Sequence, residues 1–415
     1  MAHPKTTKLE EARARILAAA GQLATQTEML PVMQANGRIL AEQVISQIDL
    51  PQTANAAVDG FAIFTDKLQA SPDRPMKIVG MARAGHPYIG TVNSGEAVRI
   101  YTGAMVPEGP DAIIMHEDCT EKATGGSDSI ICNTLLKRGT NIRPAGENLA
   151  AGECVADKGQ RITPAYMGQL AASGAGHVNV YRRLKVVLFS TGDEVIEAGQ
   201  PLQAGQIYDS NRPILAGLLS GADVELIDGG IIRDNKADLI SAYEEGLAQA
   251  DIILSSGGAS DGIEDHSQQA LSAVAAEKLF WRLAMKPGRP MAAAVKGGRF
   301  IFCLPGNPVA AFVCFKLLIA PAIDKLSGAN VRVPLALKIA AGFTHKKAAG
   351  RAEYLRAVIK TNTDGSQKIA LHGRKGAGVI SSLTGADGLV EIPLDCVQVH
   401  EGDLLNFIPF QEQVL

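Results

Sequence analysis

Apolar residues near the start of the chain recur at helical spacing. Leu9, Ala12, Ile16, Leu17, Ala20 and Leu23 share one face, so residues 8–26 are expected to form an amphipathic helix. From Asp49 to about Arg138 the pattern shortens to β-prone runs, MKIVG, EAVRIYTG, DAIIMHED and SIICN, between Gly, Pro and Asp breakers. That texture predicts an all-β region. Residues 139–182 are rich in Gly and Ala and hold one expected helix, Pro164 to Ser173. The period then switches. KVVLFS, VELIDGG, DIILSSGG and RFIFCLPG are apolar on both faces and alternate with helical stretches at Asn211–Gly221, Lys236–Ala250, Glu264–Ala276 and Pro308–Leu326. Such strands predict a parallel sheet covered by helices on both sides. From Pro334 to Leu415 the β texture returns in LALKIAAGF, EYLRAVIKT and GDLLNFIPF, which predicts a small separate β domain.

A chain of 415 residues exceeds one ordinary core, so several domains are expected. A net charge of −3 and aromatic content of 5%, with Trp281 the single tryptophan, argue against a nucleic-acid partner, which needs a basic surface and stacking platforms. The six cysteines form no C-x-x-C pair and no zinc spacing, and most sit among apolar neighbours. They read as reduced thiols of a cytoplasmic protein. The N-terminal segment carries glutamates where a signal peptide would be apolar. The longest apolar run, Val309 to Ile323, is broken by Lys316 and is too short to span a bilayer, so no membrane association is expected.

In an open α/β sheet, ligands bind beyond the carboxyl ends of the strands. The first such loop is Ser190-Thr191-Gly192-Asp193-Glu194. Its hydroxyls and acids suit a phosphate or a hydrated metal ion, and equally a helix start capped by Thr191 or Asp193. The second is Ser255-Ser256-Gly257-Gly258-Ala259-Ser260-Asp261-Gly262, where adjacent glycines let backbone N–H groups converge on an anion. A plain flexible turn is the alternative. It is neither G-x-G-x-x-G nor a Walker A loop. The third, Leu304-Pro305-Gly306-Asn307-Pro308, reads as a rigid turn with Pro308 at the first helical position. Between the last two, Arg282, Lys286 and Arg289 lie in a Pro/Gly-fixed stretch that reads as a phosphate clamp rather than a solvated charged face. Asp228, Asp234 and Glu264-Asp265 supply carboxylates. Beside cations and an anion loop they suggest a magnesium–phosphate site, although each acid singly could be a helix cap. No G-x-S-x-G elbow and no H-E-x-x-H motif is present.

Nine segments in order, AVDGFA, RIYTGA, NIRPAGEN, LFSTGDEV, YDSN, GIIRDN, SSGGASDG, MKPGRP and LPGNP, resemble the molybdopterin molybdenumtransferase family, the MoeA proteins related to the E domain of gephyrin. The similarity spans essentially the whole chain. It implies an α/β multidomain fold. A MogA-like doubly wound parallel sheet domain would take residues 1–26 and 178–330, with an elongated linker domain at 27–48 and 138–177. A β-rich inserted domain would take 49–137 and a C-terminal β barrel 331–415. The family reaction implied is insertion of molybdate into adenylylated molybdopterin with release of AMP and a requirement for Mg²⁺. The same resemblance implies a homodimer whose active sites combine both subunits, and the molybdopterin adenylyltransferase as a candidate partner. Asp59, Thr102, Glu194, Asp234, Asp265, Arg282 and Lys286 match family positions implicated in activity, with Glu194, Asp234 and Asp265 serving the metal. Ser190, Thr191, Gly192, Asp193, Ser255, Ser256, Gly257, Gly258, Ser260, Arg289, Pro305, Gly306 and Asn307 are the expected pterin-phosphate contacts, with Arg351 as the tail's contribution. Asn148 and Ala377 stand where some relatives carry aspartate and serine. A binding-only or scaffold relative is the alternative from another class; the retained Asp59, Asp234 and Asp265 argue for the enzyme.

Overall fold

The computed structural model describes residues 6–21, 26–70, 73–124, 127–257, 266–331, 333–374 and 376–410. Its largest unit is a six-stranded sheet. In chain order the strands are β1 (Leu184–Thr191), β2 (Val224–Ile232), β3 (Ile252–Ser256), β4 (Glu277–Phe280), β5 (Ala292–Lys296) and β6 (Arg299–Leu304). They lie side by side as β2-β1-β3-β6-β5-β4. The first four of that row are parallel, and β5 and β4 extend the edge antiparallel, an addition the apolar runs did not announce.

Alternation along each strand divides the core. Val186, Leu188, Ile252, Leu254, Phe300 and Phe302 face helices α1 (Leu9–Ala20), α2 (Asn211–Ser220) and α5 (Pro308–Cys314). Val187, Phe189, Ile253, Ile301 and Cys303 face α3 (Lys236–Gln249) and α4 (His266–Ala273) on the other side. A side-chain period of two on strands buried on both faces produces this split.

The N-terminal helix is held by a stripe at i, i+3, i+7 and i+11: Leu9, Ala12, Ile16 and Ala20 are all buried. It also answers a defect in the long C-terminal helical run. Between α5 and α6 (Ala320–Leu326) the chain widens to a π turn at Phe315–Ile319. Pro321 has no N–H to give the carbonyl four residues back, that of Leu317. The Arg13 guanidinium of α1 fills the gap, donating to that carbonyl through Nε and one terminal nitrogen at 3.2 Å each. Ile16→Ala is therefore expected to cost about 2–5 kcal/mol, as for other fully buried aliphatic side chains. The check is a denaturant titration with an unchanged m value.

Before and beyond this unit the chain builds three others. A six-stranded β sheet runs in the order Ala112–Met115, Gly60–Ile63, Glu96–Ile100, Met76–Ala82, Ser127–Cys132, Cys119–Thr124. The region is not wholly β, because Thr65–Ala70 forms a short helix whose first N–H is taken by the Asp111 carboxylate at 2.8 Å. A second unit pairs Thr27–Pro31 with His177–Tyr181 and packs helix Pro164–Ala172 over Val32, Leu40 and Ile162. Arg38 ties it to the α/β unit, reaching Asp223 at 3.1 Å and Glu28 at 2.5 Å.

The C-terminal unit is a closed five-stranded barrel. Ala352–Thr361 pairs with Gln367–Leu371 on one side and Gly388–Ile392 on the other, and Leu337–Ala341 and Leu404–Pro409 complete the ring. Met285–Lys286 adds to its edge in parallel register, Met285 opposite Ala352 and Lys286 opposite Glu353. This pairing joins the barrel to the α/β sheet. Among the described residues no helix is long and apolar enough to cross a membrane.

Candidate functional site

The strand order creates the site. From β1 the chain passes to β2 on one side and then crosses to β3 on the other, so the carboxyl ends of β1 and β3 splay at a topological switch point. A cleft of about 530 Å³ opens there. Ser190, Thr191, Gly192, Glu194, Asp234 and Ser256 line it, with Gly257, Pro305, Gly306 and Asn307.

Its hydroxyls are set for a ligand. Ser190 and Thr191 are buried, and their oxygens have no hydrogen-bond partner among the described residues. No helix follows Thr191; the chain turns into Val195–Ile196, so the helix-cap alternative for this loop does not hold. Buried hydroxyls left without partners cost free energy unless a ligand or water completes them.

Asn211, at the start of α2, braces the floor. Its Nδ2 donates to Ser256 Oγ and to the Gly306 carbonyl, both at 2.7 Å, leaving its Oδ1 unpartnered. Asp209 accepts from the Asn211 and Arg212 N–H groups at 3.1 Å each, which anchors the helix start. The YDSN motif thus carries scaffold residues, a role the sequence reading left unassigned.

The acids separate. Asp234 lies at the cleft, its N–H donating to Asp193 Oδ1 at 3.2 Å, while its own Oδ1 is buried without a partner. Burial, and then the neighbouring Asp193 and Glu194 carboxylates, raise its pKa, with His266 opposing. Asp228 is elsewhere, paired with Arg212 at 2.8 Å beside the Glu197 and Asp209 carboxylates. Asp265, Gly258 and Ser260 lie outside the described residues.

Two expected phosphate contacts are placed differently. Ser255 points to the opposite face of the sheet, its hydroxyl 3.2 Å from Tyr243 Oη and buried beside Cys303. Strand alternation sends Ser256 into the cleft and Ser255 away from it. The Gly257 N–H donates to the Leu304 carbonyl at 3.2 Å, so its amide is already engaged.

A second cavity of about 550 Å³ lies between the α/β unit and the barrel. It shares Pro290, Pro305 and Asn307 with the first. Lys286, Arg289, Arg351, Arg356 and Arg374 face it with a single carboxylate, Glu353. Parallel register sets Lys286 beside Glu353 at 3.1 Å, and His345 Nε2 holds the other oxygen at 2.8 Å. Burial pushes the Glu353 carboxyl up, but these hydrogen bonds outweigh it and the pKa is lowered. Arg356 is buried, and its partners are neutral: Ser382 Oγ at 2.8 Å and the Arg374 and Gly376 carbonyls at 3.2 Å. Burial lowers its pKa, yet the guanidinium stays charged. The result is a concave, strongly cationic wall. Sequence reasoning missed Glu353, His345 and Arg356 because they become site residues only when the barrel closes against the sheet. Arg282 lines neither cavity.

Asp59 and Thr102 meet on the inserted β sheet. Asp59 Oδ1 accepts from the Thr102 N–H at 2.7 Å and its hydroxyl at 2.6 Å, and these bonds, the hydroxyl's first, lower the acid's pKa. Gly60 must follow Asp59, since a Cβ there would sit 1.9 Å from the Ile114 carbonyl oxygen. Neither Asp59 nor Thr102 lines either cavity.

Comparisons with known proteins bear on the whole chain. Residues 7–174 match the MoeA N-terminal region (domain I and II), residues 187–325 a probable molybdopterin binding domain and residues 338–410 the MoeA C-terminal region (domain IV). A molybdopterin molybdenumtransferase of Haemophilus influenzae is 37% identical over 97% of this chain and 98% of its own. Molybdopterin molybdenumtransferase 2 of Mycobacterium tuberculosis is 32% identical over 91% and 93%. The solved molybdopterin biosynthesis MoeA protein of Pyrococcus horikoshii superposes with a TM-score of 0.81 at 26% identity, covering 98% of this chain and all of that one. A doubly wound sheet with a cleft at its switch point, joined to a β insertion and a closed barrel, places the molecule in the class of multidomain molybdopterin-biosynthesis proteins. Within that class, the chain belongs to the MoeA family.

Proposed function

We propose that this chain inserts molybdate into adenylylated molybdopterin, releasing AMP in a magnesium-dependent step of molybdenum cofactor biosynthesis. The relatives named molybdopterin molybdenumtransferase support the reaction class. The observation that carries the reading is the pair of cavities sharing a wall at Pro290, Pro305 and Asn307. One offers hydroxyls and acids, the other cations. A phosphoanhydride substrate fits the first and an oxyanion the second.

In this reading Ser190, Thr191 and Ser256 hydrogen-bond the phosphates at the strand ends. Lys286, Arg289 and Arg351 hold molybdate and offset its repulsion from the phosphates. Cleaving a phosphoanhydride needs little covalent help from protein, so positioning and charge stabilisation carry the rate.

Magnesium fits the acids. Among the described residues no three acidic, His or Cys side chains converge as a closed cage, but Mg²⁺ uses only one or two carboxylates plus phosphate oxygens and waters. The unpartnered Asp234 Oδ1, with its raised pKa, is the observation that fits a cation. Asp234 with Glu194 and Asp265 would hold it, and the ion would neutralise charge on the leaving AMP. The test is AMP release against magnesium and molybdate concentration. Asp265→Asn and Asp234→Asn should each lose on the order of 10²-fold in rate while staying folded. Wild-type turnover by Asp265→Asn at every magnesium concentration would overturn the metal assignment.

The sign of the pH dependence follows from the raised Asp234 pKa. The folded state holds this proton above the ordinary aspartate range, so the metal-free protein loses stability as pH rises from that range through the raised value. Magnesium binding strengthens over the same window, because it needs the carboxylate. Thermal melts with and without magnesium should therefore diverge as pH rises, and Asp234→Asn should reduce the divergence.

The homodimer is proposed from the place of Asp59 and Thr102. They sit on a sheet that contributes nothing to either cavity within one chain, so a second subunit would bring them to the cleft. Mixing Asp59→Asn with Asp265→Asn subunits should then restore part of the activity that neither has alone. A fully active monomer in sedimentation would refute the composite site.

A further inference from the structure

We infer that Cys119 and Cys132 form a reversible modification site, a dithiol that a low-molecular-weight disulfide converts to a cross-strand disulfide. The two residues are direct partners in the antiparallel pairing of Cys119–Thr124 with Ser127–Cys132. The Asn133 N–H donates to the Asp118 carbonyl at 2.8 Å, which makes Cys119 and Cys132 a non-hydrogen-bonded pair. At such positions the Cα atoms approach to about 4.5 Å and the side chains lie close on one face. That separation falls within the range disulfides span, about 4.4–6.8 Å.

The surroundings fit stepwise exchange. Both residues pack against the apolar cluster of Phe61, Ile63, Ile114 and Ile130. Cys132 is buried, whereas Cys119 is half-exposed and can meet a reagent. The paired thiols act on one another, which lowers the pKa of Cys132 and, with burial, raises that of Cys119. Attack by a thiol requires its thiolate. Cys119 gives up its proton and attacks one sulfur of the reagent RSSR, forming a mixed disulfide and expelling RS⁻. The Cys132 thiolate then attacks the Cys119 sulfur, closing the protein disulfide and expelling the second RS⁻. The two protein protons end on the two RSH, so the two thiols are oxidised and RSSR is reduced. The second step is fast, because the resolving sulfur is already adjacent.

The other four cysteines have no cysteine partner of this kind. Cys303 and Cys314 are buried, and Cys154 and Cys396 stand apart. The disulfide would staple the hairpin carrying Glu121, which holds Arg99 at 2.6 Å and lies 3.8 Å from His116. His116 in turn packs edge-on against Phe61, two residues from Asp59.

The experiment treats the full-length protein with oxidised glutathione and counts thiols after denaturation under acid quench. Cys119 and Cys132 should leave the free-thiol pool together, with a mass loss of two hydrogens on a peptide pair joining them, whereas the exposed Cys154 and half-exposed Cys396 can carry only glutathione, and dithiothreitol should restore all six thiols. Cys132→Ser should accumulate glutathione on Cys119, because the resolving thiol is gone. Cys119→Ser should react far more slowly than wild type, because the remaining thiol is buried. If wild type keeps six thiols, or holds stable glutathione on Cys119 while Cys132 stays reduced, the proposal fails. A disulfide linking any other pair would equally overturn it.

Discussion

Gly257→Ala should reduce turnover by 10²-fold or more, although the residue offers no side chain and its amide is already engaged. Gly257 has φ +99°, a conformation L side chains rarely adopt. A Cβ there would lie 2.2 Å from the Thr191 carbonyl oxygen and 2.8 Å from its Oγ1. The first contact is with backbone at the end of β1, so the strand end must move. Holding a non-glycine residue in such a region costs about 1–3 kcal/mol, and displacing positioning groups by about 1 Å can cost 10²-fold in rate. Gly306→Ala is the matched control. Its nearest neighbour to a new Cβ is Gly257 Cα at 3.7 Å, an ordinary contact. It should narrow the cleft and raise KM while leaving the melting temperature near wild type. If Gly257→Ala turned over like wild type, the splayed ends of β1 and β3 would not be where substrate is held.

Lys286→Met should lose on the order of 10²-fold in kcat, the usual cost of removing one charge or donor aimed at developing negative charge. Methionine keeps the length of the stem and removes only the ammonium. The loss should grow as molybdate is lowered, because the same ammonium helps to hold the oxyanion. Glu353→Gln separates charge from orientation. It leaves Lys286 charged but weakens the contact that holds it, so molybdate binding should persist while kcat falls. Stability gives an independent readout. Glu353 has a lowered pKa in the folded state, so its contribution is present above the ordinary glutamate range and is lost as pH falls through the lowered value. Lys286→Met removes one of its two hydrogen bonds, so acid unfolding should begin at a higher pH than in wild type. Unchanged kcat and unchanged acid unfolding would return Lys286 to a solvated surface position.

Much of the architecture was legible because it rests on local periodicity. The doubly apolar runs KVVLFS, DIILSS and RFIFCL announced strands covered on both sides, whereas VELIDGG forms a partly exposed edge strand, and the loops after β1, β3 and β6 border the cleft. The stripe of Leu9, Ala12, Ile16 and Ala20 announced the first helix and its buried face, although the helix ends at Ala20 instead of running over residues 8–26, Leu17 is only half-buried, and Leu23 lies outside the described residues. The same alternation could have excluded Ser255 from the cleft, since Ser255 continues the face of Ile253 and Ser256 that of Leu254. The antiparallel strands β4 and β5 were not legible, because EKLF and AAAVK are too short and too mixed to declare themselves.

What the sequence determined by itself is therefore the kind and order of the elements and the chemical types available at the strand ends. Periodicity and turn chemistry act over a few residues, and they do not depend on which distant segment comes to rest alongside. Only the tertiary structure decided that Lys286 meets Glu353 across 67 residues, that Arg13 supplies the donor Pro321 lacks, and that Arg356 sits buried with neutral partners in a cationic wall. Such pairs form when the barrel closes on the sheet and the first helix docks beside the last. Their partners are chosen by packing of whole units, which no local pattern encodes.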